Sequence, residues 1–556
     1  MAVMSGKRAL MEMLRAEGVK YIFGNPGTTE TPIMDELESH PEIEYVLVMQ
    51  EGVAMGMADA YARATGKPSF VNLHIETGLA NGMSLLHNAH EGGTPMVLSA
   101  GNLDIRDLAR GRTDLAAMVR PFTKWSAEAT HPEQVPGILR RAFNEAKTPP
   151  TGPTFVAFSA NALDDEADVE IAPSPPGYYR LAPDPRAIEE AVSILAAASR
   201  PVIVVGDRVA QSGASAEAVR VAEMLGAAVY ASRYSEMNFP TSHPQFKGDI
   251  KLGFPNGKEA LSQADAVLMV GKLATAYYMF SSPSLEFAGP DTRFVHLDAD
   301  ADHVGGTHRT DVGVVGDPRM ALGTLAEALD AEMSGTATEA AKGRAATLAA
   351  EKQATGEVSR RRLVEVWDNR PMSPFRMMAE IAPTLPPDTI VVNDAVTSAP
   401  AVFAALDFDE PGSIYGGRGG ALGWGVGGAL GVKLVNPGRP VVAVEGDGSA
   451  MMTVQGLWTA ANAGIPVVYV ICNNGAYRVL KLNMDLYKDL VVGPQAEKSR
   501  YMGMDFPVRP DFAGMAQAMG VHGRRIEDPA ELAPAMRSAL DLGKPAVLDV
   551  IIDGTV

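Results

Sequence analysis

Short apolar runs alternate along this chain with longer segments whose apolar residues recur at helical spacing. In the first part, the runs 21–23, 45–49, 69–74 and 95–99 predict strands, and 30–38, 51–65 and 79–90 predict helices between them. A second alternating block opens with PVIVVG at Pro201 and continues through a helix at 214–225 and the strands AAVYAS, DAVLMVG and RFVHLDAD. A third contains TIVVND, VVAV, a helix at 450–463, a strand at 467–472 and the closing run PAVLDVIID. Strand and helix in alternation predict an α/β protein of three doubly wound parallel-sheet domains. The expected boundaries are 1–165, a Rossmann-like middle domain at 185–335, and 371–556. A proline-punctuated crossing, Pro173 to Pro185, joins the first two. The Ala-, Thr- and charge-rich segment 336–370 reads as a helical linker with a mobile start. The first and last blocks look like two versions of one architecture.

The third block holds the chemistry. The strand at 441–444, the helix and the strand at 467–472 form a βαβ unit, whose crossover is right-handed and whose strands are parallel. Residues just beyond the two strands therefore emerge on one sheet edge, and these are Asp447 and Asn474. Two hard oxygen ligands, with Gly446 and Gly448 letting the backbone close in beside a helix N-terminus, suit a Mg²⁺ ion holding a diphosphate.

Composition narrows the partners. Lys plus Arg number 48 against 67 for Asp plus Glu, a formal charge of −19 with no basic block. Nucleic-acid binding is disfavoured and a small-molecule substrate favoured. The single cysteine, Cys472, falls inside a predicted strand, so a reducing, cytoplasmic setting is expected. Neither a signal peptide nor a membrane span is expected, because no apolar run approaches 18 residues. A nucleotide site could follow Gly206 in the middle block, but no GxGxxG accompanies it. A structural spacer is the preferred reading there, and a dinucleotide-binding oxidoreductase remains a remote alternative.

GDG at 446–448 followed by NN at 473–474 across a βαβ unit resembles the diphosphate and magnesium motif of thiamine-diphosphate (ThDP) enzymes. The order of three domains is that of the decarboxylase-like branch. Within it, FGNPGTTE (23–30), VMQEGVAMGMADAYARATGKPSFVNLHIETGLANGM (48–83), RPFTKWS (120–126) and PGSIYGGRGGALGWG (411–425) look most like benzoylformate decarboxylase. That resemblance implies ThDP and Mg²⁺ as cofactors and non-oxidative decarboxylation of a 2-oxo acid. A carboligase or lyase of the same branch, like benzaldehyde lyase, acetolactate synthase or 2-hydroxyacyl-CoA lyase, is the alternative. It also implies a homo-oligomer, dimer or tetramer, in which the cofactor is shared between subunits.

Residue by residue, the resemblance gives Glu51 the task of protonating the cofactor's aminopyrimidine; read alone, it is a first-turn carboxylate favoured by the helix dipole. Leu422 falls at the wedge position that bends the cofactor, where a leucine could otherwise be core. Asp447, Asn474 and the Ala476 carbonyl would bind Mg²⁺. Gly448, Ser449, Thr397 and Ser398 would hold the diphosphate, Gly420 the aminopyrimidine, and Tyr477 adjoins them. His74 matches a histidine that orients substrate and moves protons, although a lone histidine at a strand end is often structural. Thr28 stands where the family has a serine near the substrate carboxylate; it could instead cap the next helix. Two departures stand out. Tyr278 in KLATAYYMFSS replaces a second histidine, and Asn483 replaces an aromatic lining residue. Asn483 implies a more polar pocket than one built for a phenyl ring; both departures weaken benzoylformate as the substrate, and the missing histidine leans toward ligation.

Overall fold

The computed structural model describes residues 2–107, 111–177, 179–232, 234–250, 252, 255–272, 288–306, 308–493 and 495–556. Three six-stranded sheets, each parallel throughout, form the body of the protein. The first runs across the sheet as Glu44–Leu47, Tyr21–Asn25, Ser69–Leu73, Met96–Asn102, Pro153–Ser159 and Trp125–Ala129. The third runs Ile414–Gly416, Ile390–Asp394, Val441–Gly446, Val468–Asn473, Ala546–Ile551 and His522–Ile526. Numbered by chain order, both read 2-1-3-4-6-5, so the expectation of one architecture used twice holds at the level of topology. The middle sheet runs Phe246–Asp249, Ala228–Ala231, Pro201–Val205, Ala266–Val270, Arg293–Asp298 and Val312–Val315, which reads 3-2-1-4-5-6, the doubly wound order of dinucleotide-binding domains.

Inner strands such as Ser69–Leu73 and Val468–Asn473 are buried along their whole length, because helices cover both faces of a parallel sheet. This is why they were legible as unbroken apolar runs. Six strands of these three sheets were not anticipated: Trp125–Ala129, Pro153–Ser159, Phe246–Asp249, Val312–Val315, Ile414–Gly416 and His522–Ile526. All but Pro153–Ser159 lie at a sheet edge. An edge strand is covered less completely, and its apolar pattern weakens accordingly.

One other expectation is corrected. The single helix expected at 450–463 is two, Asp447–Ala450 and Gly456–Asn462. Between them the Thr453 hydroxyl donates to the Gly423 carbonyl at 2.7 Å, and Gly456 lies against Val426, where a Cβ would come within 2.7 Å of a methyl carbon. The linker is one long helix, Gly335–Glu365, capped at its start by the Ser334 hydroxyl. Arg344 donates from it to the Leu225 carbonyl at 2.6 Å, which ties it to the middle domain.

The first and third domains meet where helix Trp424–Val435 crosses helix Glu51–Thr65. Gly427 and Gly431 permit the crossing: a Cβ would lie 2.6 Å from the Val53 carbonyl oxygen and 2.2 Å from that of Met57. Backbone therefore rests on backbone. The crossing carries the Glu51 end of one helix toward the glycine-rich loop that precedes the other. Among the described residues, no helix is long and apolar enough to cross a membrane.

Candidate active site

Strands Val441–Gly446 and Val468–Asn473 pair in parallel with Gly446 opposite Cys472, so their ends present Asp447 and Asn474 side by side. Asp447 is buried. Its Oδ1 accepts from the Gly448 amide and its Oδ2 from the Gly475 amide, both at 2.7 Å. Burial raises its pKa against the opposing pull of these bonds. Asn474 Oδ1 accepts from the Ala476 amide at 2.9 Å. Gly475, at φ +69°, turns the chain back, and Ala476 is buried in a bridge to Asp505. The Tyr477 ring stands edge-on to Phe506 at 4.8 Å and closes over Gly448, where a Cβ would lie 2.6 Å from the ring. Asp447, Gly448, Asn474, Ala476 and Tyr477 are thus brought together.

Other expected residues are placed differently. Ser449 Oγ donates to Asp394 Oδ2 at 2.5 Å and accepts from the Gly423 amide at 2.8 Å, so its hydroxyl holds the glycine-rich loop. Thr397 and Ser398 lie in a short 3-10 turn after strand Ile390–Asp394. Ser398 is buried and hydrogen-bonded to the Cys472 thiol, whose pKa burial pushes up to about 12. Gly420 has φ +96° with open space around it. Leu422 lines a cavity of about 370 Å³ with Gln50, Gly52, Asn81, Ser84 and Met452.

In the first domain Glu51 opens its helix and is buried, and its Oε2 accepts from Asn81 Nδ2 at 3.0 Å. His74 directly precedes helix Ile75–Gly92. Its Nδ1 lies 2.8 Å from Glu30 Oε2 and 3.0 Å from Thr29 Oγ1. Glu30 is fully buried and also accepts from the Gly101 amide at 2.7 Å, the Gly27 amide at 3.0 Å and the Thr29 hydroxyl at 2.8 Å. A carboxylate so fixed accepts a hydrogen bond from Nδ1–H and leaves Nε2 for a ligand. Only glycine fits at 27, where a Cβ would strike the His74 ring at 2.2 Å. Ile75 carries a positive φ of 24°, strain stored immediately beside this histidine.

Thr28 is exposed and does not cap the next helix, whose N-cap is Glu30; the hydroxyl that meets His74 is that of Thr29. Asn483 is partly buried on helix Arg478–Tyr487. Tyr278 lies outside the described residues. Among the described residues no hydrogen bond or ion pair joins Glu51 or His74 to Asp447 or Asn474; their partners are local.

Residues 4–118 match the thiamine pyrophosphate enzyme N-terminal TPP binding domain, 188–325 its central domain and 395–550 its C-terminal TPP binding domain. Over 98% of both chains, the sequence is 30% identical to benzoylformate decarboxylase of Pseudomonas aeruginosa. The chain belongs to the thiamine pyrophosphate enzyme family. As such it is an enzyme of carbon–carbon bond cleavage or formation that works with thiamine diphosphate. It is also 27% identical to a probable acetolactate synthase large subunit of Methanocaldococcus jannaschii, over 99% of this chain and 92% of that one. The fold superposes on the 4-hydroxybenzoylformate decarboxylase of Rhodococcus jostii RHA1 with a TM-score of 0.83, 27% identity and 99% coverage of each.

The donor set of this thiamine pyrophosphate enzyme fits a Mg²⁺–diphosphate group. A buried carboxylate, an amide oxygen and a backbone carbonyl are all hard oxygen donors, and Gly448 keeps the backbone bare beside them. Four polar residues that matter to the site were not singled out from sequence: Thr29, Glu30, Asn81 and Asp394. Glu30 was legible only as the start of a helix, because its partners Gly101 and His74 are distant in the chain.

Proposed function

We propose that this enzyme is a ThDP- and Mg²⁺-dependent non-oxidative decarboxylase of a 2-oxo acid. The observation that carries the proposal is the Glu30–His74 pair, a proton-handling imidazole held in one orientation, in a chain similar over its whole length to a benzoylformate decarboxylase. When bound, thiamine diphosphate supplies the nucleophilic carbon that adds to the substrate carbonyl and receives the bonding electrons as CO₂ departs. The rest falls to the protein. Asp447, Asn474 and the Ala476 carbonyl would hold Mg²⁺, and the backbone at Gly448 and Ser449, with the turn at Thr397 and Ser398, would face the diphosphate. Glu51 would hydrogen-bond the pyrimidine ring, Gly420 would receive its amino group and Leu422 would hold the cofactor bent. His74 Nε2 would orient the substrate and carry a proton.

The family resemblance supports a cofactor shared between two subunits, in a cytoplasmic homodimer or tetramer. Thr28 and Asn483 would supply polar groups, as would Tyr278 by the resemblance, which favours a substrate less apolar than one with a bare phenyl ring. His74→Ala and Glu30→Gln are each expected to lower kcat by on the order of 10²-fold with a smaller change in KM, since the pair acts on the proton rather than on binding. Equal kcat in both variants and wild type would remove the pair from the reaction.

Carboligation is the second reading, favoured by full-length similarity to an acetolactate synthase and by the absence of histidine in KLATAYYMFSS. A screen of 2-oxo acids and acyl-CoA substrates with ThDP and Mg²⁺, reading CO₂, aldehyde and acyloin, separates the two. Equal CO₂ and free aldehyde without ligation to added aldehyde sinks the ligase; CO₂ matched by acyloin, with no free aldehyde released, sinks the simple decarboxylase.

A further inference from the structure

The glycine-rich loop GGRGGALGWG contains one charge, Arg418, at a place where the sequence otherwise removes every obstacle to a cofactor. Arg418 is only 3% exposed and is turned inward. Its Nη2 donates to Glu236 Oε1 at 2.7 Å, its Nε to Ser235 Oγ at 3.1 Å, and its Nη1 to the Gly92 carbonyl at 3.1 Å; Asp207 Oδ2 lies 3.2 Å from Nε. Gly92 belongs to the first domain, whereas Asp207, Ser235 and Glu236 belong to the middle one. A second buried arginine completes the cluster. Arg63, on the helix that Glu51 opens, donates to Glu236 Oε1 at 2.5 Å and to the carbonyls of Ser235 and Gly416, both at 2.9 Å, and stacks on Trp424.

The loop between Gly416 and Gly423 is therefore pinned along its length. The Gly416 amide donates to the Ser235 carbonyl at 2.7 Å, Arg418 enters the ion cluster, and Asn88 both donates to and accepts from the Ala421 backbone. At its far end the Gly423 amide meets Ser449 Oγ. Glycines at φ +72° and +96°, Gly419 and Gly420, would leave such a loop floppy without these anchors. Asn88 of the first domain holds Ala421, whereas Arg418, whose carbonyl accepts from the Gly420 amide at 2.8 Å, is held by counter-charges from the middle domain.

We infer that Arg418 is a positioning residue of the cofactor site. Its clamp on Asp207, Ser235 and Glu236 fixes Gly420 and Leu422 where they meet the thiamine portion of the cofactor, and the middle domain acts as a working part of that site. This rests on the cofactor reading above. Three carboxylates, Asp59, Asp207 and Glu236, and two guanidinium groups in one ion cluster fix the backbone they grip, which supporting residues of a binding site must do. Arg63 joins the same carboxylate to helix Glu51–Thr65, so that helix and the loop of the same chain are tied to one group.

The test compares two ligands by isothermal titration calorimetry in the full-length protein: ThDP with Mg²⁺, and inorganic pyrophosphate with Mg²⁺. Pyrophosphate reports on the metal and diphosphate groups, Asp447, Asn474, the Ala476 carbonyl, Gly448, Ser449 and the turn at Thr397 and Ser398, whereas ThDP also needs the loop. Arg418→Met and Glu236→Gln are each expected to weaken ThDP by roughly 10–100-fold and pyrophosphate by no more than about twofold, with the double variant little worse than either single one. Arg418→Lys and Asp207→Asn, milder changes that preserve folding if the others do not, are expected to give the same split on a smaller scale. Parallel weakening of both ligands, or unchanged ThDP affinity, overturns the inference and leaves Arg418 a clamp between domains. Wild-type protein that took up pyrophosphate with Mg²⁺ but not ThDP would instead overturn the cofactor reading itself, and the inference with it.

Discussion

Glu51→Gln is expected to slow hydrogen–deuterium exchange at the C2 carbon of bound ThDP by roughly 10²–10⁴-fold while leaving cofactor affinity within about tenfold. The substitution is nearly isosteric. Gln50, not Glu51, caps the helix, its side chain accepting from the Val53 amide at 3.2 Å, so the helix start survives. The amide oxygen of a glutamine can still accept from Asn81. What is lost is the carboxylate's capacity to favour a proton on the ring nitrogen it faces. Quenched-flow NMR of the exchange, with calorimetry for affinity, checks both halves. Exchange at the wild-type rate would take Glu51 out of its proposed role, whatever happened to turnover.

Asp447→Ala is expected to weaken Mg²⁺-dependent ThDP binding by roughly 2–5 kcal/mol, on the order of 10²–10³ in Kd, because it removes a buried charged ligand together with the acceptor of two loop amides. The apo protein should fare better. Burial alone raises the Asp447 pKa, so a charge without a cation beside it costs stability, and deleting it relieves that cost. Wild-type Tm should therefore rise on adding ThDP and Mg²⁺ while the variant's stays put, with the two apo values within a few degrees. A cofactor-induced rise of equal size in both proteins would place the metal elsewhere.

Much of this protein was legible before any coordinates. The buried strands of the parallel sheets show as β-branched runs, and GDG and NN at the ends of two such runs led directly to Asp447 and Asn474. The edge strands mostly escaped notice, since half-covered strands carry a weaker signal. So did the break in the helix after Asp447, which depends on a hydroxyl contact to a residue 30 positions earlier. At the candidate site the near misses follow one rule. Thr28 was singled out where Thr29 is the threonine that touches His74, because a three-residue 3-10 turn decides which of two adjacent hydroxyls faces inward. Glu30 was passed over because its carboxyl is surrounded by groups from three separate stretches of chain.

By itself, then, the sequence determined the class of fold, the edge on which a diphosphate and a metal would sit, and the carboxylate proposed as their counterpart. Those are consequences of local periodicity and of short motifs, which nearest neighbours along the chain enforce. The tertiary structure alone decided which polar groups are buried against one another: Glu30 behind His74, Asn81 on Glu51, and Arg418 and Arg63 sharing Glu236. A buried charge must be matched wherever the fold brings a partner, and that partner can lie more than 100 residues away, as Glu236 does from both arginines.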